Sequence, residues 1–317
     1  MKTMKWLIKR EMWEHKGMLF WAPVVVATLI AALALAAIFL GHNVNFNDDG
    51  DAISIGKVTI EGAMRTRIVQ TMSQAYMASA MPVLMMLSFL VFFYCLGALH
   101  DERRDRSLLF WKSLPVSDFT TVLSKVLLAL VVAPLITIGV GTLLSLLILL
   151  AGCVMILAHG TNLFGAVLAT PDFYLTPLRL VGLLPVYILW ALPTVGWLLM
   201  VSSMARSKVF LWAVGTPLVT SLLLVWAEKA LHFGIDAGWF VTHVVDRILL
   251  GVIPGSWLVF EADKIELNHV PHELAVPETI FGASWSTLGG TSLWLGVAAG
   301  VAMIAAAVYM RRRREEG

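Results

Sequence analysis

Six long apolar runs, separated by polar stretches, organise the 317-residue chain. They cover residues 18–40, 79–99, 126–158, 180–201, 209–227 and 288–310. A helix needs roughly 20 such residues to cross about 30 Å of hydrocarbon. The pattern predicts an all-α polytopic membrane protein, with six transmembrane helices in a single domain over residues 1–317. The first run exceeds the roughly 7–15 apolar residues of a cleaved signal, so it reads as an uncleaved span. The third is longer than the bilayer is thick, so it tilts, bends at Pro134 or projects. Pro185, Pro193 and Pro217 inside spans suggest a packed bundle, because neighbouring helices must satisfy the carbonyls they free. Gly296 and Gly300, four apart in the last run, allow close helix packing.

The polar stretches differ in kind. Residues 1–17 read as an amphipathic helix with Met1, Met4, Leu7, Ile8 and Met12 on one face and Lys5, Lys9 and Lys16 on its flank. Trp6 and Trp13 lie one above the other on the far side, the arrangement of a helix in the headgroup plane. The outer segment 41–78 holds the acidic run Asn45–Asp51 and a candidate hairpin, Ile53–Ile55 with Val58–Ile60. The acidic run resembles half a calcium loop, but Gly56 stands where a bidentate Glu is required, and a turn-rich loop is the better reading. The second outer segment, 228–287, is semi-apolar, and the piece ending at Pro254-Gly255 reads as interfacial or re-entrant.

Composition narrows the class. The chain is 59% hydrophobic and 14% charged, with a mean hydropathy of +0.82, against about 25% charged residues in soluble domains. A net charge of +2 gives no basic footprint for nucleic acid. Cys95 and Cys153 both lie inside apolar runs and read as core thiols. Sixteen of the 23 lysines and arginines fall in residues 1–17, 100–125, 202–208 and the 311–314 tail. The positive-inside rule then places both termini and the 100–125 stretch in the cytoplasm.

Catalytic chemistry is sparse. The chain has no usable phosphate loop, no His-Glu-x-x-His and no Gly-x-Ser-x-Gly, so no catalytic residue is assigned. The nearest metal-like cluster is Glu266, His269, His272 and Glu273, but Pro271 disfavours helical geometry there; no metal and no bound cofactor is expected. Charged residues are nearly absent from the spans, which leaves no proton relay and argues for an external energy source.

The densest interior charge cluster lies between the second and third spans. It runs Asp101-Glu102-Arg103-Arg104-Asp105-Arg106, then Leu108-Leu109-Phe110-Trp111, then Leu114-Pro115-Val116-Ser117, with Lys125 entering the third span. Pro115 would end a short helix, and Ser117 with Asp118 suits the start of the next. This predicts a short amphipathic helix under the membrane, held between two spans and able to pass force to both.

The arrangement resembles the permease subunits of ABC transporters of the ABC-2, or type V exporter-like, family. The match rests on Glu102, Leu108, Leu109, Leu114, Pro115, Ser117 and Lys125, while Asp105-Arg106 departs from the small residues many members carry. The resemblance implies a multi-pass protein of a bacterial inner membrane. It implies two permease copies, as homodimer or heterodimer, with a soluble ABC ATPase partner that binds the ATP and magnesium. The connecting helix (Trp6, Lys9, Trp13) and the coupling helix (Glu102, Arg103, Arg104, Arg106, Leu109, Phe110, Trp111, Leu114, Pro115) would dock on that ATPase. The implied function is export of an amphiphilic drug, antimicrobial peptide or lipid. The competing readings are a membrane anchor or sensor that binds a cytoplasmic partner without transport, and an intramembrane enzyme acting on lipid.

Overall fold

The computed structural model describes residues 2–40, 66, 68–70, 72–73, 76–104, 117–158, 160–231, 236–261 and 277–313. Among them helix dominates and no strand occurs. Among the described residues six helices are long and apolar enough to cross a membrane: Gly17–Leu40, Tyr76–Arg104, Asp118–Ala158, Pro171–Met204, Val209–Ala230 and Thr291–Arg313. Over its described residues the chain is thus a helical, multi-pass membrane protein. The candidate hairpin at 53–60, the acidic run at 45–51 and the Glu266–Glu273 cluster lie outside the described residues, as does the coupling stretch from 105 to 116.

In chain order the helices are α1 (Lys2–Glu14), α2 (Ala22–Leu40), α3 (Met81–Gly97), α4 (His100–Arg104), α5 (Asp118–Leu127) and α6 (Ala133–Ala158). They continue with α7 (Phe164–Ala169), α8 (Pro171–Gly182), α9 (Leu184–Met204), α10 (Val209–Leu231), α11 (Ala237–Phe240) and α12 (Asp246–Leu250). The last three are α13 (Ser256–Phe260), α14 (Pro277–Ser286) and α15 (Thr291–Arg313). A π-helical turn, Leu128–Val132, joins α5 to α6 just before Pro134. Its wider ring bonds the Ala133 amide to the Leu128 carbonyl, five residues back. The ladder is thereby reset where proline brings no N–H.

The chain forms two compact units. One comprises Phe20–Leu84 and Ile136–Gly182. Its core gathers Tyr76, Met77, Leu149, Cys153, Leu163 and Val167. Tyr76 donates to the Phe173 carbonyl at 2.8 Å, and Ser79 to Ser145 at 3.0 Å. The other comprises Met1–Leu19, Met85–Leu135 and Leu183–Gly317. Its core is built on Val91, Tyr94, Cys95, Val122, Leu128 and Trp190. Cys95 and Cys153 are both buried free thiols.

Within this second unit α9 and α15 pack backbone to backbone. A Cβ on Gly196 would stand 2.6 Å from the Gly300 carbonyl oxygen, and one on Gly300 would stand 2.9 Å from the Leu192 carbonyl. Only hydrogen side chains admit this approach. Of the described residues between α10 and α15, Arg247 and Val252 accept hydrogen bonds from α9. Residues 237–250 are helical with a π turn at Val241–Val245, and Gly255, at φ 84°, reverses the chain into α13. Thr194 donates to the Arg247 carbonyl at 2.9 Å. Thr194 lies about 15 Å along α9 from its start, at about 1.5 Å per residue, so this contact falls midway along the helix.

Candidate functional site

Four elements of one unit converge on a buried group of charges: α1, α4, α5 and the end of α15. Lys125 is enclosed by the core, and its Nζ lies 2.9 Å from Glu11 Oε1 and 3.0 Å from Glu102 Oε1. Arg311 spans the other side, with Nη1 2.9 Å from Glu102 Oε2 and Nε 3.0 Å from Asp118 Oδ1. Tyr94 donates its hydroxyl to Glu11 Oε2 at 3.2 Å, and the His15 ring stands edge-on to Tyr94 with centroids 5.0 Å apart. Three carboxylates therefore share one lysine and one arginine in a site nearly closed to solvent. Breaking such a group by removing one partner is costly, because the other charge stays buried.

Local sequence explains the placement. Ser117 caps α5 by accepting from the Thr120 amide at 3.2 Å, which sets Asp118 in the first turn, facing Arg311. Lys125 falls seven residues further along, two turns down the same face. On α1, Leu7 and Glu11 are one turn apart and both buried. Glu11 is thus an acid in the middle of an apolar face, an arrangement tolerated only with a cation waiting opposite. Arg103 fixes the neighbouring turn by donating to the carbonyls of Ser202 and Ala205, the latter at 3.0 Å. The Ser202 hydroxyl accepts from the Leu99 and His100 amides at 3.2 and 3.0 Å, so the end of the second span is pinned to α9.

A second buried charge lies toward the other end of α15. The Arg247 guanidinium sits 4.5 Å over the Trp190 ring and donates to the Ser292 and Leu293 carbonyls. A Cβ on Gly296 would overlap the guanidinium, so the glycine makes its room. Glu261 accepts from the Ser292 hydroxyl at the same place. Burial lowers the Arg247 pKa from its ordinary value and the Glu261 charge acts against that. An arginine nonetheless stays protonated. This cluster holds the helical residues 237–250 onto α9 and α15.

The sequence reading singled out Glu102, Arg103 and Arg104 in α4, and the structure buries Glu102 in the ion-pair node while Arg104 stays exposed. Arg106, Leu109, Phe110, Trp111, Leu114 and Pro115 lie outside the described residues. Trp6 and Trp13 are 51% and 62% exposed, and Lys9 is exposed beside them. Gly300 meets the α9 backbone, whereas Gly296 chiefly accommodates Arg247. Glu11, Arg311 and Arg247 were not anticipated. The signal for Glu11 was its place four residues after Leu7 on the apolar face.

No family model, no curated protein and no solved structure matches this chain.

Glu102 and Lys125 flank the 105–116 stretch in the sequence and are paired with each other; Glu102 is also paired with Arg311 of α15, and Lys125 with Glu11 of α1.

Proposed function

We propose that the protein is the membrane-spanning permease subunit of an ATP-driven transporter of the ABC-2 type, powered by a separate soluble ATPase. The observation that carries this reading is the shared ion pair of Glu102 and Lys125, which bracket the connection between the second and third spans. A partner pressing on residues 105–116 would act on a rigid joint that includes α1, α5 and α15. Each ATPase cycle would then favour one packing of the helices over another by a few kcal/mol, as a population shift requires. The end bearing the node is cytoplasmic in this proposal, in line with its basic residues. The partner binds the ATP and magnesium; this chain hydrolyses nothing. Two copies, as homodimer or heterodimer, surround the path of an amphiphilic drug, antimicrobial peptide or lipid, moved outward across a bacterial inner membrane.

The test is a mild-detergent pull-down of the tagged protein followed by an ATPase assay. A co-purifying soluble ATPase, whose activity loses its coupling in a Phe110→Ala/Trp111→Ala variant that still inserts, supports the reading. A clean protein with no ATPase partner removes it and leaves an anchor or sensor that moves nothing.

A further inference from the structure

The two faces of α1 have opposite chemistry. At about 100° per residue, Lys5, Lys9 and Lys16 fall within an arc of about 40°, and Trp6 and Trp13 border it. The buried pair Leu7 and Glu11 lies roughly opposite. Lys5, Lys9 and Lys16 are all exposed, and Lys16 Nζ stands 5.3 Å over the Trp13 ring. The one exposed acid of the helix, Glu14, lies outside this arc and is paired with Arg10 at 3.2 Å. The outer arc is therefore purely basic and aromatic.

We infer that this outer face is a binding surface for anionic phospholipid headgroups, and that its occupancy sets the Glu11–Lys125 ion pair on the other side of the same helix. Three observations favour lipid as the occupant. The charge is complementary to an anionic leaflet. Tryptophan suits the boundary where one end of the ring is apolar and the other wet. The helix also runs into the first apolar span through a single π-helical turn, Gly17–Trp21, whose Phe20 and Trp21 are themselves exposed.

The link to the node is direct. Glu11 reaches Lys125 only while α1 lies against α5, so anything that holds α1 at the surface also holds the pair together. Coupling of this kind is reciprocal: a broken pair weakens lipid binding as much as lost lipid weakens the pair. The inference rests on α1 and α5 alone, and it gives to lipid the Trp6, Lys9 and Trp13 face that the family resemblance would give to an ATPase.

Native mass spectrometry of the full-length protein, titrated with phosphatidylglycerol and separately with phosphatidylcholine, tests the surface. Preferential retention of phosphatidylglycerol is expected, falling about fivefold per lysine removed in a Lys5→Gln/Lys9→Gln/Lys16→Gln variant. Should that variant fold poorly, the wild-type preference must still shrink as salt is raised. Hydrogen exchange tests the link: phosphatidylglycerol should slow exchange across Thr121–Lys125 in the wild type and not in the triple variant. Equal retention of both lipids, or a preference that survives loss of the lysines, overturns the binding surface. Selective binding that leaves Thr121–Lys125 exchange unchanged overturns the link. Capture of an acidic soluble protein through the same lysines, with no lipid preference, assigns the face to that protein and overturns the proposal.

Discussion

Glu11 and Lys125, 114 positions apart in the chain, meet at 2.9 Å with each side chain only 1% exposed. A contact this remote in sequence and this closed to water fixes the first helix of the protein to the third span. Lys125→Met removes the cation that Glu11 and Glu102 share. Unfolding in detergent should show a loss of about 3–5 kcal/mol, the usual cost of stranding a buried charge. Adding Glu11→Gln to Lys125→Met should restore part of that loss. Strict additivity of the two changes would mean that the pair contributes nothing as a pair.

Arg311 and Glu102 can be examined by the same logic. A double-mutant cycle with Arg311→Gln and Glu102→Gln should return a coupling of about 0.5–3 kcal/mol. The cycle pairing Arg311→Gln with Asp118→Asn should return less, since Asp118 is more open to solvent than Glu102. The reverse ranking would show that Asp118, not Glu102, anchors the last helix.

Ser202 accepts two amides at the end of the second span. Ser202→Ala deprives both of a partner and should cost about 1–3 kcal/mol. Hydrogen exchange locates the effect: the Leu99 and His100 amides should exchange faster while the middle of α3 is unchanged.

Gly296 and Gly196 crowd different neighbours. Gly196→Ala forces a methyl against the Gly300 carbonyl, and Gly296→Ala forces one against Arg247. Each should cost about 1–3 kcal/mol in thermal unfolding, the range for overpacking. In an Arg247→Ala background, Gly296→Ala should cost far less while Gly196→Ala keeps its full effect. If both keep their full effect, the space at Gly296 serves the helix pair and not the arginine.

The six spanning helices were legible because length and apolarity are read directly from the chain. Their limits were less so. The fourth run, expected at 180–201, meets a helix Leu184–Met204 that starts four residues later and ends three residues further on, because Pro185 is well placed in a first turn and poorly placed in a middle. Glu102 and Lys125 stood out through the pattern around the loop. Glu11 did not, because a helix with lysines and glutamates at close intervals looks evenly solvated until its partner is known. Arg311 was hidden in a run of four arginines that positive-inside charge explained equally well. Arg247 looked like one more outer cation. In each case the deciding contact lies tens to hundreds of positions away, and local pattern carries no record of it.

The order in which the node is assembled has its own consequence. Glu102 and Arg311 are 209 residues apart, and Asp118 and Arg311 are 193 apart. At about 5–20 residues per second, a ribosome delivers Arg311 roughly 10–40 s after Glu102. Throughout that interval the early helices hold a carboxylate oxygen and an aspartate awaiting a cation not yet synthesised. A chain truncated before residue 311 can insert all its apolar segments and still display an unfinished acidic seam. The arrival of α15 is therefore the step that completes the charge balance of the node.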